Sequence, residues 1–187
     1  MPRNDPDSPG ESQQAGSMKQ AGDPEQAGDP EQTESYRTVR ETVFGLSADQ
    51  FVGWDLPADR PLAATMEFWA GQSVVTLVCV IDDTTSLYFS RGGARIGLQE
   101  AEQVQLASAA FLIEADALRD QMSVATEHPL PRRGNVRLSL VTDAAVYALE
   151  ADQSAIRNDP SHVAAKLEGA GQGVITAARE ADENRSH

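Results

Sequence analysis

Val74-Val75-Thr76-Leu77-Val78-Cys79-Val80-Ile81 is the stretch whose reading decides the fold. Its residues are nearly all apolar and mostly β-branched, which suits a central strand covered on at least one face. Asp82-Asp83 ends the run in a hairpin turn. Thr84 to Ser90 resumes as a strand through Leu87, Tyr88 and Phe89. On the other side Ala70-Gly71-Gln72 is a turn, and Leu62 to Trp69 alternates weakly between apolar and polar residues. The three runs read as an antiparallel meander.

Outward from this meander, Arg91-Gly92-Gly93-Ala94-Arg95-Ile96-Gly97 forms a glycine-rich connection into a long helix over 99–121. Ala101, Val104, Ala107, Phe111, Leu112, Ala115 and Leu118 make the apolar stripe of that helix, and Glu100, Glu102, Glu114, Asp116 and Asp120 its polar face. A stiff loop, Pro129-Leu130-Pro131-Arg132-Arg133-Gly134, leads to a half-buried strand through Val136, Leu138 and Leu140. Thr142-Asp143 turns the chain into a hairpin partner over 144–150. A last helix starts at Asp159-Pro160, with Val163, Leu167, Ala170, Val174 and Ile175 on its apolar side. Gly169, Gly171 and Gly173 weaken it and predict a kink or a close helix–sheet contact. Before the meander, Tyr36, Val39, Val43 and Phe44 recur at helical spacing, and Ser47-Ala48-Asp49-Gln50 has the pattern of a capping box. These predict short helical pieces on the edge of the domain. The order β-β-β-α-β-β-α predicts an α+β domain, a five-stranded antiparallel sheet with two main helices packed on it.

Residues 1–34 are expected to be a disordered acidic tail. Gln20-Ala21-Gly22-Asp23-Pro24-Glu25 repeats at once as Gln26-Ala27-Gly28-Asp29-Pro30-Glu31, and the tail carries a net charge of −6. Such a segment has little to bury against its ordering entropy. The folded domain is then 35–182, with 183–187 fraying. The whole chain of 187 residues carries −14, a field that repels nucleic-acid backbones and anionic membranes alike. Arginine outnumbers lysine 13 to 2, read as the coding bias of a GC-rich bacterial genome. No signal peptide and no run long enough to span a bilayer is legible, so the expected location is cytoplasmic, without membrane insertion.

Thr84-Thr85-Ser86-Leu87-Tyr88-Phe89-Ser90, followed by Gly92-Gly93, Ile96-Gly97 and Pro129-Leu130-Pro131 before Gly134-Asn135-Val136-Arg137, resembles a family of small bacterial α+β proteins without an assigned activity. The resemblance covers about residues 60–180. It departs from the family pattern at Arg91, Ala94 and Arg95, where more glycine is expected. More distantly, the element order is similar to profilin-like and roadblock or longin modules. That likeness implies a regulatory scaffold that dimerises or docks on another protein. It brings no catalytic residues with it.

The candidate ligand-binding residues are Arg91, Gly92, Gly93, Arg95 and Gly97. Free N–H groups at a helix start attract anions, and two arginines add to that attraction. Tyr88 and Arg137 are the expected neighbours. The glycine spacing is neither that of a P-loop nor that of a dinucleotide fingerprint. Asp82 and Asp83 are adjacent, so their carboxylates point apart along a strand end. His128, His162 and His187 lack zinc-ligand spacing, and His128 reads as a surface partner of Glu127. Cys79, the single cysteine, reads as a buried small hydrophobe. Arg132, Arg133 and Arg137 form a local basic spot.

No catalytic residue, metal or cofactor is expected from these patterns. They point to a non-enzymatic interaction or regulatory module, homodimeric or bound to another protein, docking through a sheet edge or a helix face. The alternative is a binder or enzyme for a small anionic ligand, centred on the glycine loop.

Overall fold

A computed structural model describes residues 32–57 and 59–185. The expected tail lies outside the described residues up to position 31. The first helix, α1 (Glu34–Phe44), follows at once, its N-terminus capped by the Thr33 hydroxyl, which accepts from the Tyr36 amide at 3.3 Å.

The sheet comprises β1 (Pro61–Ala70), β2 (Ser73–Val80), β3 (Thr85–Phe89), β4 (Ala94–Arg95), β5 (Ser123–Val124), β6 (Asn135–Thr142) and β7 (Val146–Asp152). Their order is β4-β3-β2-β1-β6-β7-β5, with every pair antiparallel. The α+β class and the five longer strands agree with the sequence reading. The strand number does not: the sheet has seven strands, not five. β4 and β5 have two residues each, too short to carry an alternation that a sequence pattern could reveal. They lie at the two ends of the sheet, β4 pairing with Leu87 and Tyr88 of β3 and β5 with Tyr147 and Ala148 of β7.

β1 alternates only weakly because both of its faces are covered. Ala64 and Met66 face one helical layer, with Phe68 beside them, while Ala63, Thr65 and Glu67 point the opposite way, and all but Phe68 are fully buried. The first face packs against α2 (Glu102–Ala117) and α4 (Ala165–Arg185), which lie against each other. Met66, Leu77, Leu138, Leu140, Phe111 and Leu167 are the largest side chains of this core, each with no solvent exposure. Each of these side chains stabilises the fold at about 25 cal/mol per Å² of apolar surface removed from water.

α1 is not on the domain edge. It lies on the opposite face of the sheet, where Val43 packs with Ala63, Val78, Val141 and Val146. Its buried row is Tyr36, Arg40 and Val43, one face of a helix. Two further boundaries shift. α2 is shorter than the predicted 99–121, being flanked by 3₁₀ turns at Leu98–Glu100 and Arg119–Gln121. The last helix is preceded by an unpredicted short one, α3 (Gln153–Asn158), capped by Asp152, whose carboxylate accepts from the Ser154 and Ala155 amides. Asp159-Pro160 therefore lies in the turn between α3 and α4. The predicted close helix–sheet contact occurs at Gly171, where a Cβ would come within 2.7 Å of the Met66 sulfur.

Candidate functional site

The glycine loop closes a β-hairpin rather than opening a helix. The Gly92 amide donates to the Phe89 carbonyl at 2.9 Å, and the Phe89 amide to the Gly93 carbonyl at 3.1 Å. Both glycines hold a positive φ, +106° and +96°, which explains their place in this turn. The long helix begins only at Glu102, and Glu100 and Glu102 stand at that start instead of a bare row of amides. Arg95 is drawn across to Asp182 on α4, an ion pair near the surface. Gly97 begins the 3₁₀ turn before α2.

Gly92 and Gly93 do border a cavity of about 360 Å³ between the hairpin and the start of α1, which Tyr36 and Tyr88 also line. Arg91, Arg95, Gly97 and Arg137 are not among its lining residues. The structure thus brings together two of the five candidate residues and one of the two expected neighbours. Arg137 belongs to a different cavity, at the β5–β7 end of the sheet, and pairs with Glu150 at 3.5 Å. Arg133 lies 3.9 Å over the ring of Trp69, so the basic spot is divided among separate partners.

Behind Tyr36 a chain of polar groups crosses the buried second face of the sheet. Glu67, on β1, is wholly buried. Its Oε1 accepts from Arg40 Nε at 2.8 Å and from the Thr76 hydroxyl at 3.0 Å, and its Oε2 accepts from Arg40 Nη2 at 3.0 Å. The Thr76 proton being engaged, the Tyr36 hydroxyl donates to Thr76 at 2.6 Å. Arg40 also donates to the His128 carbonyl at 2.8 Å. Burial, then the charge of Glu67, hold the Tyr36 phenol well above its ordinary range. Burial pulls the Arg40 guanidinium down, but its bond to Glu67 and the carboxylate charge outweigh this, and the net shift is upward. The network satisfies its members with one another, the condition under which a buried ion pair is tolerated.

His128 is not a surface partner of Glu127. Its ring stacks on Phe44 at a centroid distance of 4.3 Å, and burial, then the charges of Arg137 and Arg40, lower its pKa. His162 accepts from the Ala164 amide through Nδ1 at 3.1 Å; His187 lies outside the described residues. Cys79 is buried, as expected, and its thiol is pushed up to about 12 by burial. No group of three His, Cys, Asp or Glu side chains among the described residues could hold a metal. No described helix is long and apolar enough to cross a membrane.

The outward face of α2 is the feature that sequence reasoning missed. Val104, Phe111 and Ala115 of the predicted stripe are buried beneath it, and so is Ser108. Leu106 and Ile113, however, are each 67 % exposed. Seven residues apart, they share one face of the helix, with Ala109 and Ala110, both exposed, between them. The predicted acidic face is therefore acidic only toward its ends. Beside this stripe lies a groove of about 530 Å³, walled by Ala109, Leu112, Ile113 and Asp116 of α2 and by Pro57 and Ile81 opposite. The signal was present: Leu106 and Ile113 are apolar residues outside the Val104–Phe111 row. No family model matches the chain, and no curated protein or solved structure is significantly similar to it.

Proposed function

We propose that the chain is a non-enzymatic protein-interaction module that docks another protein chain through the outward face of α2. The observation that carries this reading is the pairing of Leu106 and Ile113, exposed on one helix face beside a groove that joins Leu112, Ile113, Pro57 and Ile81 to the charged Asp59, Asp116 and Arg119. Scattered exposed leucines need no explanation, but a contiguous apolar stripe opening into a groove marks an interaction site. The acid–base residues of the second sheet face support the same reading, because Tyr36, Thr76, Glu67 and Arg40 are engaged in holding α1 in place. A regulatory scaffold in the cytoplasm, akin to the roadblock or longin modules, is the setting that goes with this proposal.

Leu106→Cys tests it. Cys79 is buried, so the new thiol is the accessible one. In dilute purified protein a maleimide should label it as fast as a thiol at the 89 % exposed Val52, placed by Val52→Cys. In cells making the protein, labelling at 106 should fall well behind labelling at 52. Equal rates in cells would sink the reading.

The second reading, a small anionic ligand at the glycine loop, is favoured by the cavity bounded by Gly92, Gly93, Tyr36 and Tyr88. Its weakness is that neither arginine lines that cavity.

A further inference from the structure

We infer that α1 is a pH-sensitive strap, which protonation of His128 releases from the second face of the sheet. The inference goes beyond the protein-interaction reading and does not depend on it. α1 is held mainly through polar groups. At its start the Thr33 amide donates to the Ser90 carbonyl at 2.9 Å. Along its length Tyr36 meets Thr76 and Arg40 grips Glu67, and at its end Phe44 stacks on His128. The apolar part of its seat is small, the buried members being Val43, Ala63, Val78, Val141 and Val146.

Two hydroxyls lie under the strap without a hydrogen-bond partner among the described residues, Thr65 on β1 and Ser139 opposite it on β6. Both are buried. Thr65 stands between Ala63, which packs with Val43, and Glu67, which meets Arg40. Seating α1 forfeits the hydration of these hydroxyls, and of Arg40 and Glu67 as well. Lifting the helix returns water to all four together. Opening therefore costs less than deleting one charge and leaving its mate buried.

His128 is the point at which the strap unlocks, because two guanidinium groups bracket the residue. Arg40 Nη2 donates to the His128 carbonyl at 2.8 Å, and Arg137 Nη2 to the preceding carbonyl, of Glu127, at 3.4 Å. The ring Nδ1 is buried without a partner among the described residues. An imidazolium carries N–H groups at both ring nitrogens, so it would set a donor at Nδ1 with no acceptor and a third positive charge beside two others. The nearby carboxylates are engaged, Glu67 by Arg40 and Glu150 by Arg137 and Asn135, while Glu127 is exposed. The charges that reach the ring are Arg40 from α1, Arg137 from β6 and Glu67 from β1; burial and the two arginines outweigh the carboxylate and disfavour the proton. Once α1 lifts, the ring titrates near its ordinary 6.5. Closure is thus strongest above 6.5 and weakens as pH falls toward the seated value.

Amide hydrogen exchange of the full-length chain at pH 7.5 and 5.5, corrected for the intrinsic rate at each pH, tests the inference. Amides of residues 38–44 should exchange at least about tenfold faster than those of β2 at both pH values, since α1 lifts without the sheet unfolding. Their corrected rate should rise by up to about tenfold at the lower pH, the limit set by an open-state value near 6.5. His128→Phe keeps the stack and should remove the rise. Arg137→Gln takes away one bracketing charge and should shrink it, so either variant that melts as a folded protein decides the point. A common rate for α1 and β2, or no rise at pH 5.5, would overturn the inference. So would an undiminished rise in His128→Phe or Arg137→Gln.

Discussion

Arg40 grips Glu67 along two edges of the carboxylate, Nε to Oε1 at 2.8 Å and Nη2 to Oε2 at 3.0 Å, beneath α1. Removing either partner leaves a buried charge without its mate. Arg40→Ala and Glu67→Ala should therefore each cost about 3–5 kcal/mol in urea unfolding. Replacing both with apolar residues of similar volume, as in Arg40→Met with Glu67→Leu, should cost less than the two single losses added. Single variants within about 1 kcal/mol of wild type would show that the pair does not anchor α1.

Three glycines in α4 should behave in opposite ways. Nothing lies within 4 Å of a Cβ at Gly169 or Gly173, so alanine there should stabilise by up to about 1 kcal/mol. At Gly171 the added carbon meets Met66 Sδ at 2.7 Å and Phe111 at 3.3 Å, both wholly buried. Gly171→Ala should destabilise by about 1–3 kcal/mol, through overpacking that outweighs the gain in helix propensity. Thermal melts of the three variants check the order.

Stability should decline as pH falls through 6.5. His128 has a lowered pKa in the folded chain, so the unfolded chain binds the proton first. The contribution is fully present above 6.5 and is lost as pH falls toward the folded value. His128→Phe keeps the stack on Phe44 but removes the proton site. Its stability profile between pH 7 and 5 should be flatter than that of the wild type. Equal slopes would show that His128 does not set the dependence.

Cys79 should resist thiol reagents in the folded protein. Its thiol is raised from 9.0 to about 12, and it lies on β2 without exposure. A disulfide reagent at neutral pH should label it only as fast as the sheet opens. The labelling rate should then rise with urea in step with unfolding, whereas fast labelling without denaturant would contradict the placement.

The glycine-loop reading makes a separate prediction. If it holds, a panel of nucleotides and organic acids should raise the melting temperature through one member at least, and Arg91→Ala with Arg95→Ala, both outside the cavity lining, should leave that shift in place. Gly92→Val would fill that cavity and should abolish the shift. An unchanged melt across the panel would dispose of the reading.

The longer strands were legible because Val74 to Ile81 is a continuous apolar, β-branched run and Val136 to Leu140 alternates with Arg137 and Ser139. β4 and β5 were not, since two residues have no period. The position of α1 was half legible. Arg40 interrupts the row of Tyr36 and Val43, and Glu67 is the one charged residue of β1, so each is an anomaly locally. Only the fold, which brings positions 27 residues apart together, turns two anomalies into one ion pair. The glycine loop misled because positive φ serves a hairpin as well as a helix start. Leu106 and Ile113 escaped because a helix apolar on two sides reads as one buried stripe unless both sides are traced.

The Arg40–His128 bond also sets an order of events during synthesis. α1 leaves the ribosome first, yet its arginine completes its contacts only when a carbonyl 88 residues later has emerged. At about 5–20 residues per second that is a delay of roughly 4–18 s. During it the bidentate pair with Glu67, only 27 residues on, is already within reach. The last of the Arg40 contacts thus waits on the loop before β6.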